Sequence, residues 1–486
     1  MTTNRHVQPI PTQGANATVA SADATAPPLA ARADNASETS AAPTDGRAGI
    51  RVRMYRVGFG DFFLLTVPGK TGPAHILIDC GVHAKNIGDI DSCVQDLMGE
   101  TNGKLALVIL THYHADHMSG FASSYDSFAK CEVGAVWITN RLDPNNVSAA
   151  KFHAQLASVA NQLQLQLQLA ARTDEGAQQA LAKVLNASGG QSGGGGSNAK
   201  ALRLLQSGFL NKPPVYYYAG GMEPTLPAEL QGFIAAQILA PAPRDVADKF
   251  SATDNRAEQY LAAAGDIDNS FVQTQLRPFD REWPGVSADY PKHAFIDFDG
   301  GAKELEGQLH DLQPDVLLAA ASALDGTLNN QSLVVLFTCQ GKKLLFVGDA
   351  QWGNWAYWLY GRAVTGKDPG ILDQAKSILG SIDFYKVGHH GSTNANPIPA
   401  IAAINATCAC MCSTAAGAYG DPAKKTEVPR LGLMEGLAKR TGYRLVRSDW
   451  LPIREEPAEP EALKETPTLP SGFGTTAGKP YIDFHL

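Results

Sequence analysis

The sequence is short of charge. Asp, Glu, Lys and Arg make up 18% of its 486 residues, and the net charge is −8. That balance gives no broad positive field to attract nucleic acid or an anionic membrane, although a local basic groove stays compatible with it. Cysteine is scarce as well. Seven cysteines, an odd number in a long chain, do not make the disulfide framework of a secreted domain. The opening stretch "MTTNRHVQPIPTQGANATVASADATAPPLAAR" lacks a continuous apolar segment, so no signal peptide is expected. No apolar run reaches membrane-spanning length, so no membrane association is expected. The expected location is the cytoplasm. A hydrophobic content of 44% is ample for a globular core.

Along the chain, residues 1–48 are rich in Ala, Thr, Ser, Asn and Pro without a hydrophobic period, and are expected to be disordered. Order is expected to begin with two β-rich runs flanking "VGFGD", a hairpin pattern. "AHILIDCG", "LALVILTH" and "VGAVWITN" follow as short strands. Their unbroken apolarity suits a sheet covered on both faces. "NIGDIDSCVQDLMGE" between them has helical spacing. Residues 143–325 change texture to helix-prone and loop segments, including the flexible "GGQSGGGGSN", and are expected to be an insertion. Strands resume with "SLVVLFTC", "KLLFVGDA", "DFYKVGHH" and "ATCACMCST", followed by the helix "VPRLGLMEGLAKRTG" and the strand "YRLVRSD". The principal domain is expected over 49–452. A Pro/Glu-rich tail, 453–486, ends in an apolar piece, "KPYIDFHL", that can dock back. Strands alternating with helices give an α/β class.

The chemistry concentrates in "LTHYHADHMSG", residues 110–120. Three histidines and an aspartate fall between His112 and His117, in a chain with 12 histidines. Imidazole and carboxylate together suit zinc and similar divalent ions. His112 and His114, two apart just past a strand, can converge on one ion. Asp116 and His117 can turn to a second. The competing reading, a polar loop with satisfied structural histidines, is disfavoured by the specificity of His-x-His-x-Asp-His after a strand.

"THYHADH" resembles the signature of the metallo-β-lactamase superfamily. Further elements appear in order: "ILIDCG" with Asp79, "LLFVGDA" with Asp349, and "KVGHHGS" with His389 and His390. Within the superfamily, "YRVGFGDFFLL", "NNQSLVVLF", "LLFVGDA", "KVGHHGS" and "AYGDP" resemble the hydrolase domain of the ComEC competence proteins. The resemblance covers about 50–142 and 326–450. It implies a four-layer αββα sandwich with a large, mostly helical insertion. It also implies two divalent ions, zinc by default with manganese open, held by His112, His114, Asp116, His117, Asp349 and His389. Asp349 would be shared between the ions. Asp79 would orient a ligand or the attacking water, and Asp116 would serve as ligand, base or both. His389 is expected as a ligand because it ends its strand directly. His390 is then free to protonate a leaving group, and the reverse assignment of the pair stays open.

The sequence also departs from the pattern. A ligand histidine usual before the bridging aspartate is replaced by "LNNQSL", which leaves Asn330 as a candidate substitute. His153, His293 and His310 in the insertion are further possibilities that no spacing supports. Asp421 stands where relatives often have His, and Phe59 where Gln is common.

Weaker signals have plainer readings. "CACMC" reads as a buried strand rather than a metal site. Trp352, Trp355 and Trp358 have the spacing of a helix packed in a core. Lys386 can meet phosphate or serve structure. "GGQSGGGGSN" is no phosphate loop, because no Gly-Lys-Ser/Thr follows. The expected function is metal-dependent hydrolysis, of a phosphodiester such as nucleic acid or a nucleotide first, and of an ester, lactone or thioester second. A non-catalytic binding protein that keeps the fold is the alternative from another class.

Overall fold

The computed structural model describes residues 49–171, 175–189, 197–260, 314–364, 366–367, 369–422, 426–450, 469–476 and 478–486. The segments 1–48 and 453–468, His293, His310 and most of the Gly/Ser stretch lie outside the described residues.

The first apolar runs form β1 (Arg51–Tyr55), β2 (Phe62–Gly69) and β3 (Gly72–Cys80), then α1 (Ile90–Thr101), β4 (Lys104–Leu110), α2 (Ala115–Ser123), α3 (Tyr125–Phe128) and β5 (Glu132–Thr139). The helices α4 (Val147–Ala170), α5 (Glu175–Ser188) and α6 (Ser197–Arg203) precede β6 (Val215–Tyr218) and β7 (Ile234–Ala240). After α7 (Pro314–Asn329) come β8 (Val334–Cys339), β9 (Lys342–Phe346), α8 (Trp352–Tyr360), α9 (Asp373–Leu379), β10 (Phe384–Lys386), α10 (Ile398–Ala403) and β11 (Ala409–Cys412). The described chain closes with α11 (Leu431–Arg440), β12 (Leu445–Arg447), β13 (Phe473–Gly474) and β14 (Tyr481–His485).

Two sheets result. One has the order β13-β14-β1-β2-β3-β4-β5-β6, the other β12-β11-β10-β9-β8-β7. Both switch from antiparallel to parallel pairing at one strand, β3 in the first sheet and β9 in the second. The unbroken apolar runs are explained by burial of both faces. In β4, Leu107 and Ile109 pack with Phe337 and Phe346 of the opposite sheet. Val108 and Leu110 pack outward on Val94 and Leu97 of α1 and Met118 and Phe121 of α2. On the second sheet Met411 points inward, while Cys410 and Cys412 meet Leu433 and Leu437 of α11. Helix, sheet, sheet and helix are the four layers of an αββα sandwich. The cysteines of "CACMC" are buried and free, packing as small hydrophobes. Trp352 and Trp355 are core residues whose indole N–H groups donate to the carbonyls of Val364, Ala350 and Ala395.

The region read as an insertion is two things. Helices α4, α5 and α7 pack on one another through Leu163, Val184, Ala321 and Leu324, a separate small core. But β6 and β7 are edge strands of the two sheets, pairing with β5 and β8. Strands bounded by Pro and Gly within helix-prone sequence gave too little periodicity to be seen. The "QLQLQLQL" run lies in α4 as helix. Among the described residues no helix is long and apolar enough to cross a membrane.

The terminal "YIDFH" is also part of the sandwich. It pairs with β1, placing Asp483 directly opposite Arg53. Arg53 grips Asp483 with Nε and Nη2 at 2.8 and 2.9 Å, and both side chains are largely buried. Removing one member of a buried pair leaves its partner uncompensated. Arg53 Nη1 also meets Asp96 and Glu100, at 2.9 and 3.2 Å, so the guanidinium keeps part of its compensation. Asp483→Ala should cost about 1.5–3 kcal/mol in urea unfolding, the scale of hydrogen bonds to a charged group. Lys104→Ala, which removes an exposed partner of Glu132, should stay within about 0.5 kcal/mol of the parent.

Candidate metal centre

The polar clusters gather because of the topology. β3 and β4 are parallel, and so are β9 and β10. The segments that leave their carboxyl ends carry Asp79, the His112–His117 run, Asp349 and the His389–His390 pair. Loops at strand ends on a rigid sheet are where polar side chains can converge.

Among the described residues three groups of donor atoms form there, each with all its atoms within 4.8 Å of one another. Asp61, Asp79 and His117 gather on the outward, Nδ1 side of His117, and two groups remain. One comprises Asp116, His117, Asp349 and His390; the other comprises His112, His114 and Asp116. All six residues are buried. In the first group His117 Nε2 lies 3.1 Å from Asp349 Oδ2, and His390 Nε2 lies 3.0 Å from Asp116 Oδ2 and 3.4 Å from Asp349 Oδ2. In the second, His112 Nε2 and His114 Nδ1 approach to 3.0 Å. The carboxylate common to both groups is Asp116, whereas Asp349, expected to be shared, groups with only one of them.

Outer hydrogen bonds fix which ring nitrogen faces inward. His117 Nδ1 donates to Asp79 Oδ2 at 2.7 Å. His390 Nδ1 donates to the Ser413 carbonyl at 2.9 Å. Thr111 Oγ1 donates to Asp79 Oδ2 at 2.7 Å and lies 3.1 Å from His112 Nδ1, from which it accepts. With Nδ1 protonated toward these partners, the Nε2 atoms of His112, His117 and His390 face the cluster. Without a cation His390 Nε2 donates its proton to Asp116 Oδ2 at 3.0 Å, a proton that a metal would displace.

Electrostatics favour a positive guest. Burial holds the His112 imidazole well below its usual range, with His117 and His114 adding to the effect. Burial also opposes charge on His390, but Asp349 and Asp116 outweigh it and raise the group to about 10. Asp349 resists its own burial and stays well below the usual carboxylate range because of His117, His390 and Lys386. His114 Nε2, Asp116 Oδ1, His117 Nε2 and Asp349 Oδ2 are buried polar atoms without a hydrogen-bond partner among the described residues. Unpaired buried polar atoms are costly. Three of them belong to the one four-donor group, and the mixed imidazole–carboxylate set suits a divalent cation. The residues present fit the metal that the signature implies.

Other expectations are placed differently. His390, not His389, joins the donor group. His389 is partly exposed, with Nε2 3.8 Å from Asp349 Oδ2 and 3.3 Å from Asn329 Nδ2. Both residues adopt positive φ, 46° and 51°, so the chain turns sharply and swings the second ring inward. Asn330 is turned away: its Nδ2 donates to Phe250 O, and its Oδ1 accepts from the Asn354 N–H. His153 packs against Tyr113. Asp421 sits in a turn with Thr426. Lys386 is fully buried, paired with Asp61, bonded to Gly348 O and 3.4 Å from Asp349 Oδ1.

The sequence reading assigned no role to four residues that the structure brings close. Asp61 of "VGFGD" is buried 3.6 Å from His390 Nδ1. Asn186 of α5 accepts from the Asp116 N–H at 3.0 Å. Asp325 and Asn329 of α7 reach His114 and His389. Asp61 and Asn329 stood in motifs, "VGFGD" and "LNNQSL", that could have flagged them; Asn186 and Asp325 did not.

Residues 56–133 match the model of the metallo-beta-lactamase superfamily. The matched segment carries Asp79 and the whole His112–His117 run, and Asp349 and His390 lie beyond it. The four-layer architecture is that of the metallo-β-lactamase fold, with helical insertions. No curated protein matches the chain.

The fit of the signature loop depends on Gly81. A Cβ there would lie 2.5 Å from Ala115 O and His117 N. Gly81→Ala must push the start of α2, and Asp116 and His117 with it. Zn2+ uptake by the full chain, followed calorimetrically, should weaken at least about 10-fold, the scale of disturbing a ligand's support. Far-UV circular dichroism should be unchanged.

Proposed function

We propose that this protein is a metal-dependent hydrolase whose substrate is a phosphodiester, as in nucleic acid or a nucleotide. The observation that carries the hydrolase reading is the convergence at adjoining strand ends of buried Asp116, His117 and Asp349, each with a donor atom that lacks a hydrogen-bond partner among the described residues, beside His390, His112 and His114. His112, His114 and Asp116 would hold one divalent ion; Asp116, His117, Asp349 and His390 would hold the other. Ions bound there would supply Lewis acidity and lower the pKa of water toward neutrality.

The chain's own groups do the rest. Asp79 keeps the Nδ1 proton on His117, so Nε2 stays free. The Ser413 carbonyl likewise keeps the Nδ1 proton on His390. Lys386 neutralises part of the acidic cluster through Asp61 and Asp349. The Tyr419 hydroxyl is buried without a hydrogen-bond partner among the described residues. Burial, then Asp116 and Asp325, raise its pKa, so it stays a phenol and can donate to an oxygen that gains negative charge.

The phosphodiester preference is supported by the likeness of "YRVGFGDFFLL", "LLFVGDA" and "KVGHHGS" to ComEC-type hydrolase domains. One observation favours an ester, lactone or thioester instead. Among the described residues, the side chains of α5 and α7 beside the cluster are Asn186, Asp325 and Asn329, and these three carry no positive charge. The Zn2+- or Mn2+-loaded full chain should hydrolyse bis-p-nitrophenyl phosphate faster than p-nitrophenyl acetate. His117→Ala and Asp349→Ala should each lower that rate on the order of 100-fold or more, the scale of losing one transition-state-stabilising group. A preference for the acetate would replace the phosphodiester reading with the ester one. Parent-like rates in both variants would refute hydrolysis at this centre.

A further inference from the structure

Among the described residues, α5 and α7 reach the donor cluster and the neighbouring His389 with three polar side chains. Asn186 of α5 accepts from the N–H of Asp116. Asn329 of α7 donates toward His389 Nε2. Asp325 of α7 places Oδ1 3.8 Å from His114 Nε2. Gly326 lets α7 pack closely on Thr253. A Cβ there would lie 2.7 Å from Thr253 Cγ2.

The contact with His114 bears on the chemistry. His114 is buried and offers Nδ1 toward His112 Nε2, 3.0 Å away. For Nδ1 to act as a donor atom, the ring proton must sit on Nε2. That nitrogen has no hydrogen-bond partner among the described residues. The nearest carboxylate to it is Asp325, at ion-pair distance rather than hydrogen-bond distance. Asp325 is itself steadied by Asn329, whose Nδ2 lies 3.5 Å from Oδ2. His117 and His390 have their outward nitrogens settled by Asp79 and Ser413, both supplied by the sandwich. His114 draws the equivalent partner from the insertion.

We propose that Asp325 is a positioning residue of the metal centre: its charge, 3.8 Å away, favours the ring proton of His114 on Nε2 and so keeps Nδ1 free to bind a divalent cation beside His112. The insertion is then part of the centre. This rests on the metal-binding reading above and goes beyond it, because it assigns control of one of the two ion sites to a residue outside the sandwich. A carboxylate opposite the outer nitrogen of a ligand histidine fixes its tautomer and raises its basicity, and losing it typically weakens metal affinity 10–100-fold.

The test is calorimetric titration of Zn2+ into the metal-free full chain, with Asp325→Asn as the near-isosteric variant. Visible absorption of Co2+-loaded protein gives an independent readout of each ion's surroundings. The parent should take up two ions in resolvable steps. In Asp325→Asn one step should weaken about 10–100-fold, with the other unchanged and the same thermal midpoint for the metal-free protein. Asp325→Glu, which keeps the carboxylate, should recover much of the loss.

Parent-like titration of Asp325→Asn would overturn the proposal and leave the metal-binding reading standing. Weakening of both steps together, or a lowered midpoint for the metal-free variant, would mark a merely structural role and also overturn it. A parent that takes up no ion would defeat the metal-binding reading itself, and this inference with it.

Discussion

The molecule is organised around the burial of four aspartates, Asp61, Asp79, Asp116 and Asp349, at the meeting of two sheets. Like charges brought together out of water repel and lose solvation, and they are tolerated only when paired. Each of these carboxylates has a partner: Asp79 takes Thr111 and His117, Asp61 takes Lys386, and Asp116 and Asp349 share His117 and His390. The pairing is incomplete. Asp116 and Asp349 each keep one oxygen without a hydrogen-bond partner among the described residues, and both oxygens belong to residues of the four-donor group. A set of acids that its own histidines and lysine do not satisfy is a receptor for cations, and the rest of the architecture serves to hold it.

The cost of holding it is visible in the backbone. Asp79, His389 and His390 all have positive φ, a conformation unfavourable for residues with side chains. These strained positions sit next to strands packed on both faces, where the sheet can impose them. β3 lies between β2 and β4, and β10 between β9 and β11. The sandwich supplies rigidity, and the strand ends spend it on side-chain placement. The parallel pairing of β3 with β4 and of β9 with β10 explains why two distant parts of the sequence reach one place.

Local chemistry written into the sequence was legible, and contacts made only by packing were not. The run "ALVILT" followed by "HYHADH" announces a buried strand and a ligand loop, because both patterns are continuous in sequence. Asp79 and Asp349 were legible for the same reason, each closing an apolar run. The choice within "HHGS" was not, since it turns on two left-handed residues in succession, which no side-chain pattern encodes. Asn330 looked like the substitute ligand by position, but the chain binds it to Phe250 and Asn354. Asp325 and Asn186 lie on helices with ordinary amphipathic sequence, and only the packing of α5 and α7 beside α2 gives them meaning. The edge strands β6 and β7 were hidden in the same way, because each pairs on one side only and β6 is four residues long.

The central claim is that two cations share the buried donor set through Asp116. Anomalous X-ray diffraction from crystals of the full chain grown with Zn2+ tests it most directly. The account predicts two peaks about 3.5–4 Å apart, the spacing of two-metal hydrolytic sites. One should lie among Asp116, His117, Asp349 and His390, the other beside His112 and His114. An absence of peaks at these residues, or a single peak bound by His389 in place of His390, would contradict it.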